Sequence, residues 1–320
     1  MNKKLLIERN QYKNKNVLQK YGLLFVFLFL CLILSLSTPN FLKLSNIINI
    51  FRSISIISIL AFGATFVVLT GGIDLSLGSV VALTGVIAAS LAHPNTYPLI
   101  VPIIAGIFVG VLIGLFIGVI VAYGRVPPFI ATLGVMTAAR GGALIIAKGR
   151  PILDLSSSFS FIGGGEIFGL PFPVIITLFV FLLVLFVLSK TKFGRYVYAI
   201  GGNEEASRAA GIKVNIITIM VYIICSGLAG LAGIIQTSRI AVGQPSIGQG
   251  YEMDAITAVV IGGVSLSGGR GSVVGTILGS LIIGVLNNGL DLLNVSSYWQ
   301  SVVKGLIIIG AVLLDRKKKN

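Results

Sequence analysis

Charged residues are scarce in this sequence, and the side chains that build catalytic and metal sites are scarcer still. Only 11% of its 320 residues are charged, whereas 55% are hydrophobic, and the mean hydropathy is +1.01. This composition excludes a soluble globular domain, in which about 25% of the residues are charged. The sequence therefore predicts a polytopic membrane protein.

The few reactive side chains are not grouped. Cys31 and Cys225 are the only cysteines, and each lies in an apolar segment, so their spacing indicates neither a metal site nor a disulfide. We interpret both as small packing residues. His93, the only histidine, lies in an uncharged loop and is interpreted as a loop residue without chemistry. We therefore expect no catalytic residue, metal site or cofactor in this chain, and a membrane enzyme is disfavoured.

A phosphate-binding loop is also missing. The pattern Gly-x-x-x-x-Gly-Lys-Ser/Thr does not occur in the sequence. Residues 266–271, Leu-Ser-Gly-Gly-Arg-Gly, resemble the signature loop of transport ATPases, but they lie between two apolar segments. If ATP drives this protein, a partner chain must bind and hydrolyse it.

The charge that is present is mainly positive, with a net value of +14. Lysine and arginine concentrate at the chain ends and in short loops, which is typical of loops held on the cytoplasmic side rather than of nucleic-acid binding. We predict a basic cytoplasmic tail over residues 1–21, a transmembrane domain over residues 22–314 and a second basic cytoplasmic tail over residues 315–320.

Ten apolar stretches suggest an all-α polytopic fold with about ten transmembrane helices and both termini in the cytoplasm. They cover residues 22–36, 47–69, 75–91, 99–121, 129–147, 172–188, 216–236, 255–266, 273–290 and 302–314. The eighth is short enough to be broken. This count places the basic loop 190–213 in the cytoplasm, but it also places Lys148 and Arg150 outside, against the charge rule.

Residues 199–213 form a polar island between apolar segments. They have the order expected of a short capped helix, with an N-cap, two acidic residues, a basic residue and a left-handed C-cap. These are Asn203, Glu204, Glu205, Arg208 and Gly211. A helix of two turns, about 10 Å long, is marginal alone and needs a docking surface. The segment is either an ordinary connector or a cytoplasmic coupling helix that a partner engages.

Glycine is abundant where it would bring helices together or interrupt them. Span four has Gly106, Gly110, Gly114 and Gly118 at a spacing of four, which would let another helix approach closely, within the chain or across a subunit interface. Residues 71–81 and 262–274 are similar glycine-rich breaks of the kind that lines cavities in transport proteins. Internal duplication and chance similarity both remain open.

Polar residues in apolar segments are the candidates for a substrate pathway. Asp74 lies in the first break and is either a functional charge or a cap for the amides near Ser76 and Leu77. Two helix faces carry Asn46, Asn49 and Ser53, and Asn287, Asp291 and Asn294. Amides and hydroxyls suit an uncharged polyhydroxylated solute, but they also suit hydrogen bonds between helices. The pathway candidates are Asn49, Ser53, Asp74, Ser76, Asn287, Asn288 and Asp291.

Several longer motifs extend over nearly the whole chain after the N-terminal tail. They lie at residues 71–79, 124–126, 129–133, 194–206, 244–245, 250–256, 262–269, 287–290 and 296–298. They include Gly-Gly-Ile-Asp-Leu-Ser-Leu-Gly-Ser and Gly-Arg-Tyr-Val-Tyr-Ala-Ile-Gly-Gly-Asn-Glu-Glu-Ala. Together they make the sequence resemble the membrane permeases of bacterial sugar-importing ABC transporters, and the ribose-permease group in particular. The long basic N-terminal tail departs from that pattern.

The resemblance implies one subunit of a multicomponent transporter, as a multi-pass protein of the bacterial inner or plasma membrane. Its expected partners are a cytoplasmic ATPase with two nucleotide cassettes, an extracytoplasmic sugar-binding protein, a second copy of this chain and membrane lipid, but no nucleic acid. The loop around Gly202, Asn203, Glu204, Ala206 and Gly211 would meet the ATPase. The substrate would be ribose or a related neutral monosaccharide, moved by alternating access.

The alternative is an ion-coupled secondary sugar symporter. Such a protein needs ionisable groups along its path, and this sequence offers few of them. They are Arg52, Asp74, Glu252, Asp254 and Asp291.

Overall fold

The computed structural model describes residues 22–317, with side chains described up to residue 310. This part of the chain is almost entirely helical, apart from one hairpin of two short strands. The first half contains α1 (Gly22–Ser37), α2 (Leu44–Leu69), α3 (Leu77–Leu91), α4 (Ile100–Ala122), α5 (Pro128–Ile146), α6 (Ser157–Gly164), β1 (Glu166–Ile167) and β2 (Leu170–Pro171). The second half contains α7 (Phe172–Lys190), α8 (Lys192–Gly202), α9 (Glu204–Ala209), α10 (Val214–Ile240), α11 (Tyr251–Ile261), α12 (Val273–Leu292) and α13 (Ser297–Lys317).

The predicted class, an all-α polytopic membrane protein, is confirmed. Six described helices are long and apolar enough to cross a bilayer, namely α2, α4, α5, α7, α10 and α12. Helices α1 and α3 are apolar but shorter. Helix α11 has 11 residues, about 16 Å, and is too short to cross alone, as expected for the eighth stretch. The count of ten spans stays a prediction. The predicted tail 1–21 lies outside the described residues, and α13 continues three residues into the predicted tail 315–320.

Helices α2 and α10 form the centre of the bundle. Every residue of α2 from Ile54 to Leu69 is buried, and α10 is buried along the face that meets α2, α3 and α4. The glycine row of α4 faces α10, because a Cβ added at Gly114 would lie 2.7 Å from the Cα of Ile223. This row therefore packs two helices of one chain together, with backbone against backbone.

The outer helices expose large apolar side chains. On α4, α5 and α7 the exposed residues include Phe108, Phe116, Phe129, Phe179 and Phe186. Exposing such a surface to water is energetically unfavourable, whereas contact with the hydrocarbon of a bilayer is not. The bundle is therefore built to have its polar residues inside or at its ends and its apolar side chains towards lipid.

Contacts between connecting segments define two ends of the bundle. At one end, which we name the α9 end, the last residue of α2, Leu69, meets the loop between α11 and α12. At the opposite end, the amide of Ser156 donates to the carbonyl of Ala92 at 2.8 Å, and Ile152 pairs with Gly243. The segment 148–167, which the sequence indicates only as a loop, contains α6 and the first strand of the hairpin. The loop 190–213 likewise contains two helices, α8 and α9.

Both cysteines pack as the sequence predicts. Cys225 is fully buried in the main core beside Gly63, and Cys31 packs against the cluster that joins α1 to α2 and α12. The ring of His93 lies at the opposite end, where its Nδ1 is 3.2 Å from the carbonyl oxygen of Asp154.

Candidate functional site

Helix α9 has the capped geometry that the sequence predicts. The side chain of Asn203 accepts a hydrogen bond from the amide of Ala206 at 2.9 Å, which satisfies one free N–H of the first turn. At the other end, Gly211 has a φ of 83°. The amide of Gly211 donates to the carbonyl of Arg208 at 3.1 Å, and the amide of Ile212 donates to the carbonyl of Ser207 at 3.1 Å. This pair of bonds closes the C-terminus around a left-handed residue that favours glycine.

The charges of α9 complement its dipole and one another. Glu204 and Glu205 lie in the first turn, and Arg208 lies in the last. Arg208 donates to the carboxylate of Glu204 at 2.8 Å, and both side chains are more than half exposed. A surface pair of this kind contributes little, about 0.5 kcal/mol or less. The helix is therefore stabilised mainly by its two caps, and its charged face is exposed to solvent.

The predicted coupling residues share one surface. All seven are exposed. They are Gly202, Asn203, Glu204, Glu205, Ala206, Arg208 and Gly211. Ser207 is the buried residue of the helix, and its hydroxyl donates to the carbonyl of Asn203 at 2.8 Å. The surface is available to a partner, and contact with an ATPase stays a prediction.

A cavity of about 870 Å³ lies beside α9. Its walls come from α9, from the connection between α4 and α5 and from the break after α2, and they include Gly72, Arg125, Asn203, Glu205 and Tyr222. Charged residues line the α9 side, whereas the buried Tyr222 closes the side that faces the core. Movement of α9 would therefore change the shape of a cavity that reaches the first glycine-rich break.

Asp74 accepts a hydrogen bond from the amide of Ser76, one of the two amides that the sequence suggested for a cap, but the N-cap position of α3 is Ser76 itself. The carboxylate of Asp74 accepts from the amide of Ser76 at 2.8 Å and from the hydroxyl of Ser76 at 2.6 Å, and both residues are buried. Helix α3 begins at the next residue, Leu77. The side chain of Asp74 thus fixes the turn between the break and α3, and a further role in the pathway stays a prediction.

The candidates on α2 lie at the opposite end of the bundle. Ser53 accepts from the guanidinium of Arg239 at 2.9 Å, while Asn49 is exposed. Arg52 donates to the carbonyl of Gly164 at 2.6 Å and pairs with Glu166 at 3.0 Å. This end of α2 is therefore linked by charged and polar contacts to α10 and to the segment after α6.

The candidates on α12 take part in hydrogen bonds between helices. Asn288 and Asn46 exchange two amide bonds of 2.8 and 3.1 Å, which join α12 to α2. Asn287 donates to the carboxylate of Asp254 on α11 at 3.0 Å. Asp291 is exposed and accepts from Gln300 at 2.8 Å. The packing alternative thus has direct support at Asn287 and Asn288, and a place in the pathway stays a prediction for all three.

Three basic residues within apolar segments are absent from the sequence-based candidates. Lys304 on α13 lies 2.9 Å from the carboxylate of Asp254, whose side chain is only 6% exposed. Arg140 on α5 donates to the carbonyls of Pro245 and Ile247 at 2.8 and 2.7 Å, and Arg239 donates to Ser53. The available signal was a lone basic residue in an apolar helix, which usually has a partner inside the bundle.

The part of the chain that the structure describes contains no set of metal-binding side chains. Within it, no group of three or more histidine, cysteine, aspartate or glutamate side chains could hold a metal ion.

The two glycine-rich breaks touch each other at the α9 end, because a Cβ added at Gly268 would lie 3.0 Å from the amide nitrogen of Gly71.

A helical bundle with two glycine-rich breaks beside short helices, an apolar exterior and an exposed capped helix at one end has the architecture of a membrane transport subunit. The chain belongs to the family described as "Branched-chain amino acid transport system / permease component", whose model matches residues 46–312. It is a bacterial-type multi-pass membrane permease.

Individual relatives cover almost the entire chain. The sequence is 48% identical over 316 residues to the ribose import permease protein RbsC of Bacillus subtilis, with 98% of each chain covered. It is 46% identical over 317 residues to RbsC of Escherichia coli K12, again with 98% of each chain covered. It is 38% identical to the D-allose transport system permease protein AlsC of Escherichia coli K12, covering 93% of this chain and 91% of AlsC. No solved structure matches the chain.

Proposed function

We propose that this chain is the permease subunit of an ATP-driven importer that carries ribose or a closely related neutral monosaccharide. The observation that carries the proposal is the identity of 46–48% to proteins named as ribose import permeases, over 98% of both chains. Relatives named for allose and L-arabinose are 38% and 36% identical. Ribose is therefore the first substrate to test, and allose and arabinose are the competitors.

The proposed arrangement has ten spans, with both termini and α9 in the cytoplasm. The contacts at the two ends support this count. Counted from a cytoplasmic N-terminus, residues 69, 201 and 269 all fall inside, and their backbones touch. Residues 92 and 156 both fall outside, as do residues 152 and 243, and each pair is hydrogen bonded. A topology that moved α9 alone to the other side would separate it from residues 69 and 269.

The proposed mechanism is alternating access driven from α9. An ATPase partner with two nucleotide cassettes binds the exposed face of α9, and its closure on ATP favours one of two arrangements of the permease. A second copy of the chain completes the pathway, and an extracytoplasmic binding protein supplies the sugar and most of the selectivity. The polar candidates Asn49, Ser53, Asp74, Ser76 and Asp291 would hold the sugar only weakly, since a tight site would trap it. Asn287 and Asn288 belong to the same proposed group.

Two of the five ionisable groups that the ion-coupled alternative would use, Arg52 and Asp254, are already paired with an opposite charge. Arg52 is paired with Glu166, and Asp254 is paired with Lys304. A carboxylate that already has a cation beside it is a poor site for a transported proton or sodium ion. ATP hydrolysed by a partner is the better source of energy for this chain.

The test is uptake of labelled ribose by proteoliposomes that contain the permease, its ATPase and its binding protein. We expect uptake that requires ATP, stops when the ATPase is omitted and persists in the presence of an uncoupler. Excess unlabelled ribose should suppress it more strongly than excess xylose, galactose or allose. Uptake that survives without the ATPase and stops with the uncoupler would establish the symporter instead.

A further inference from the structure

Three chain segments meet at the α9 end through their backbones. They are the end of α2, the end of α8 and the loop 266–271, whose resemblance to an ATPase signature has no use in a chain without a phosphate-binding loop. We name the meeting point the glycine junction and define it as Leu69, Gly71, Gly201, Gly268 and Gly269. It adjoins the start of α9 in the chain, because Asn203 caps that helix two residues after Gly201.

The glycine junction has no room for side chains. The amide of Gly269 donates to the carbonyl of Leu69 at 2.9 Å. A Cβ added at Gly201 would overlap both of those groups, the carbonyl oxygen of Leu69 and the amide nitrogen of Gly269. A Cβ added at Gly268 would lie 2.9 Å from the Cα of Gly201. The φ angles of Gly268 and Gly269, 81° and 72°, keep the loop in the tight turn that these contacts require.

Each segment of the junction leads to a different part of the bundle. Leu69 ends the fully buried half of α2 and is followed by the break that Asp74 and Ser76 connect to α3. The loop 266–271 connects α11 to α12. A second bond ties the loop to α8, since the hydroxyl of Tyr198 donates to the carbonyl of Gly271 at 3.0 Å. Helix α8, which leads directly into α9, thus contacts both glycine-rich breaks at once.

Direct backbone contact matters for how force is transmitted. Side chains at an interface can change rotamer and absorb a displacement, whereas packed backbones must move together or separate. A displacement of α9 by a partner would therefore move the end of α2 and the loop 266–271 by nearly the same distance.

We propose that the glycine junction is the positioning element that transmits movement of α9 to the two breaks, and hence to α3 and α12. Gly201 and the loop 266–271 act through α9 and touch neither sugar nor nucleotide. This inference rests on the proposed function, because it assumes that an ATPase partner moves α9.

The main test is Gly201→Ala, measured with three readouts in the reconstituted transporter. We expect the amount of ATPase that copurifies with the permease to stay within about twofold of wild type, because the exposed face of α9 is unchanged. Ribose uptake should fall at least about tenfold, since a Cβ must separate backbones that now touch. Sugar moved per ATP hydrolysed should fall in parallel. The matched control is Gly134→Ala, a glycine in α5 whose added Cβ would meet nothing within 4 Å, and it should behave as wild type.

Tyr198→Phe tests the same element without adding volume. It removes only the bond to the carbonyl of Gly271, so uptake per ATP should fall about two- to tenfold, which corresponds to the loss of one hydrogen bond. If the Gly201→Ala protein does not accumulate in the membrane, the uptake per ATP of Tyr198→Phe alone tests the role of the junction. Hydrogen exchange of the peptide 262–272 should also change when ATP binds to the wild-type complex, and this change should shrink in either variant.

The outcomes separate this inference from the proposed function. Wild-type permease that takes up no sugar with its ATPase would contradict the proposed function. A functional wild type with unchanged uptake per ATP in both variants would overturn the role of the junction alone. Uptake that falls only in proportion to ATPase copurification would also overturn it, because the junction would then serve only to hold α9 in place.

Discussion

Replacing Lys304 with methionine should destabilise the permease, because it leaves the carboxylate of Asp254 buried without a cation beside it. The ammonium of Lys304 lies 2.9 Å from one carboxylate oxygen and 3.1 Å from the other. The side chain of Asp254 is 6% exposed and that of Lys304 is 25% exposed. Removing one partner of such a buried pair costs about 3–5 kcal/mol. For a chain of 320 residues, this loss should lower the melting temperature by about 4–7 °C.

The reverse substitution should be milder. Asp254→Asn leaves Lys304 without its partner, but a quarter-exposed lysine can turn its ammonium towards water, so we expect a loss of about 1–2 kcal/mol. In the double variant the new amide at position 254 can still accept from Asn287, and the buried charge is gone. The double variant should therefore be more stable than Lys304→Met alone, with a coupling energy of about 2 kcal/mol or more.

The assay is thermal unfolding of purified permease in detergent and in lipid nanodiscs, with tryptophan fluorescence and the monodisperse fraction as independent signals. All four proteins of the cycle are compared at equal concentration. If the two single effects add, so that the coupling energy is below about 0.5 kcal/mol, the ion pair does not hold α13 to α11. A Lys304→Met protein as stable as wild type would refute the reasoning outright.

Three further predictions address the caps, the polar face and the helix packing. Asn203→Leu combined with Gly211→Val should abolish uptake while the permease still reaches the membrane, because α9 loses its N-cap bond and its left-handed C-cap. Asn287→Leu should slow uptake several-fold without reducing ATPase binding, measured by transport and copurification. Gly114→Leu should destabilise the bundle by about 3 kcal/mol or more, measured by thermal unfolding, because α4 cannot approach Ile223.

Each of these predictions has a result that contradicts it. Normal uptake by the doubly substituted α9 would remove this helix from the mechanism. Unchanged transport with a lowered melting temperature in Asn287→Leu would leave that residue with only its bond to Asp254. For the packing prediction the control is Gly134→Leu on the open face of α5, and equal stability of the two leucine variants would show that close approach at Gly114 is unimportant.

Local signals in the sequence predicted the features that depend on neighbouring residues. The N-cap at Asn203, the left-handed residue Gly211 and the bond from the amide of Ser76 to Asp74 all agree with the structure. Caps and tight turns involve groups two to four residues apart, so their chemistry is visible in a short stretch. The glycine row of α4 was likewise visible, although the sequence left open which helix it meets.

Contacts between distant segments could not be read in this way. The sequence showed Asn287 and Asp291 on one helix face, but it contained no sign that Asn287 meets Asp254 or that Lys304 neutralises that aspartate. Residues 254 and 304 are on different helices, and only the packing of α11 against α13 brings them together. The same holds for Arg140 and the carbonyls of the loop after α10.

The sequence by itself determined that this chain is a multi-pass helical membrane protein with a capped polar helix between two spans. Composition and hydropathy suffice for the first, because hydrocarbon accepts only segments with few charges and internally bonded backbone. The tertiary structure alone decided that Gly201, at the end of α8 and just before α9, packs against the backbones of Leu69 and Gly269. A glycine in the sequence permits close approach, but the fold decides which backbone comes close.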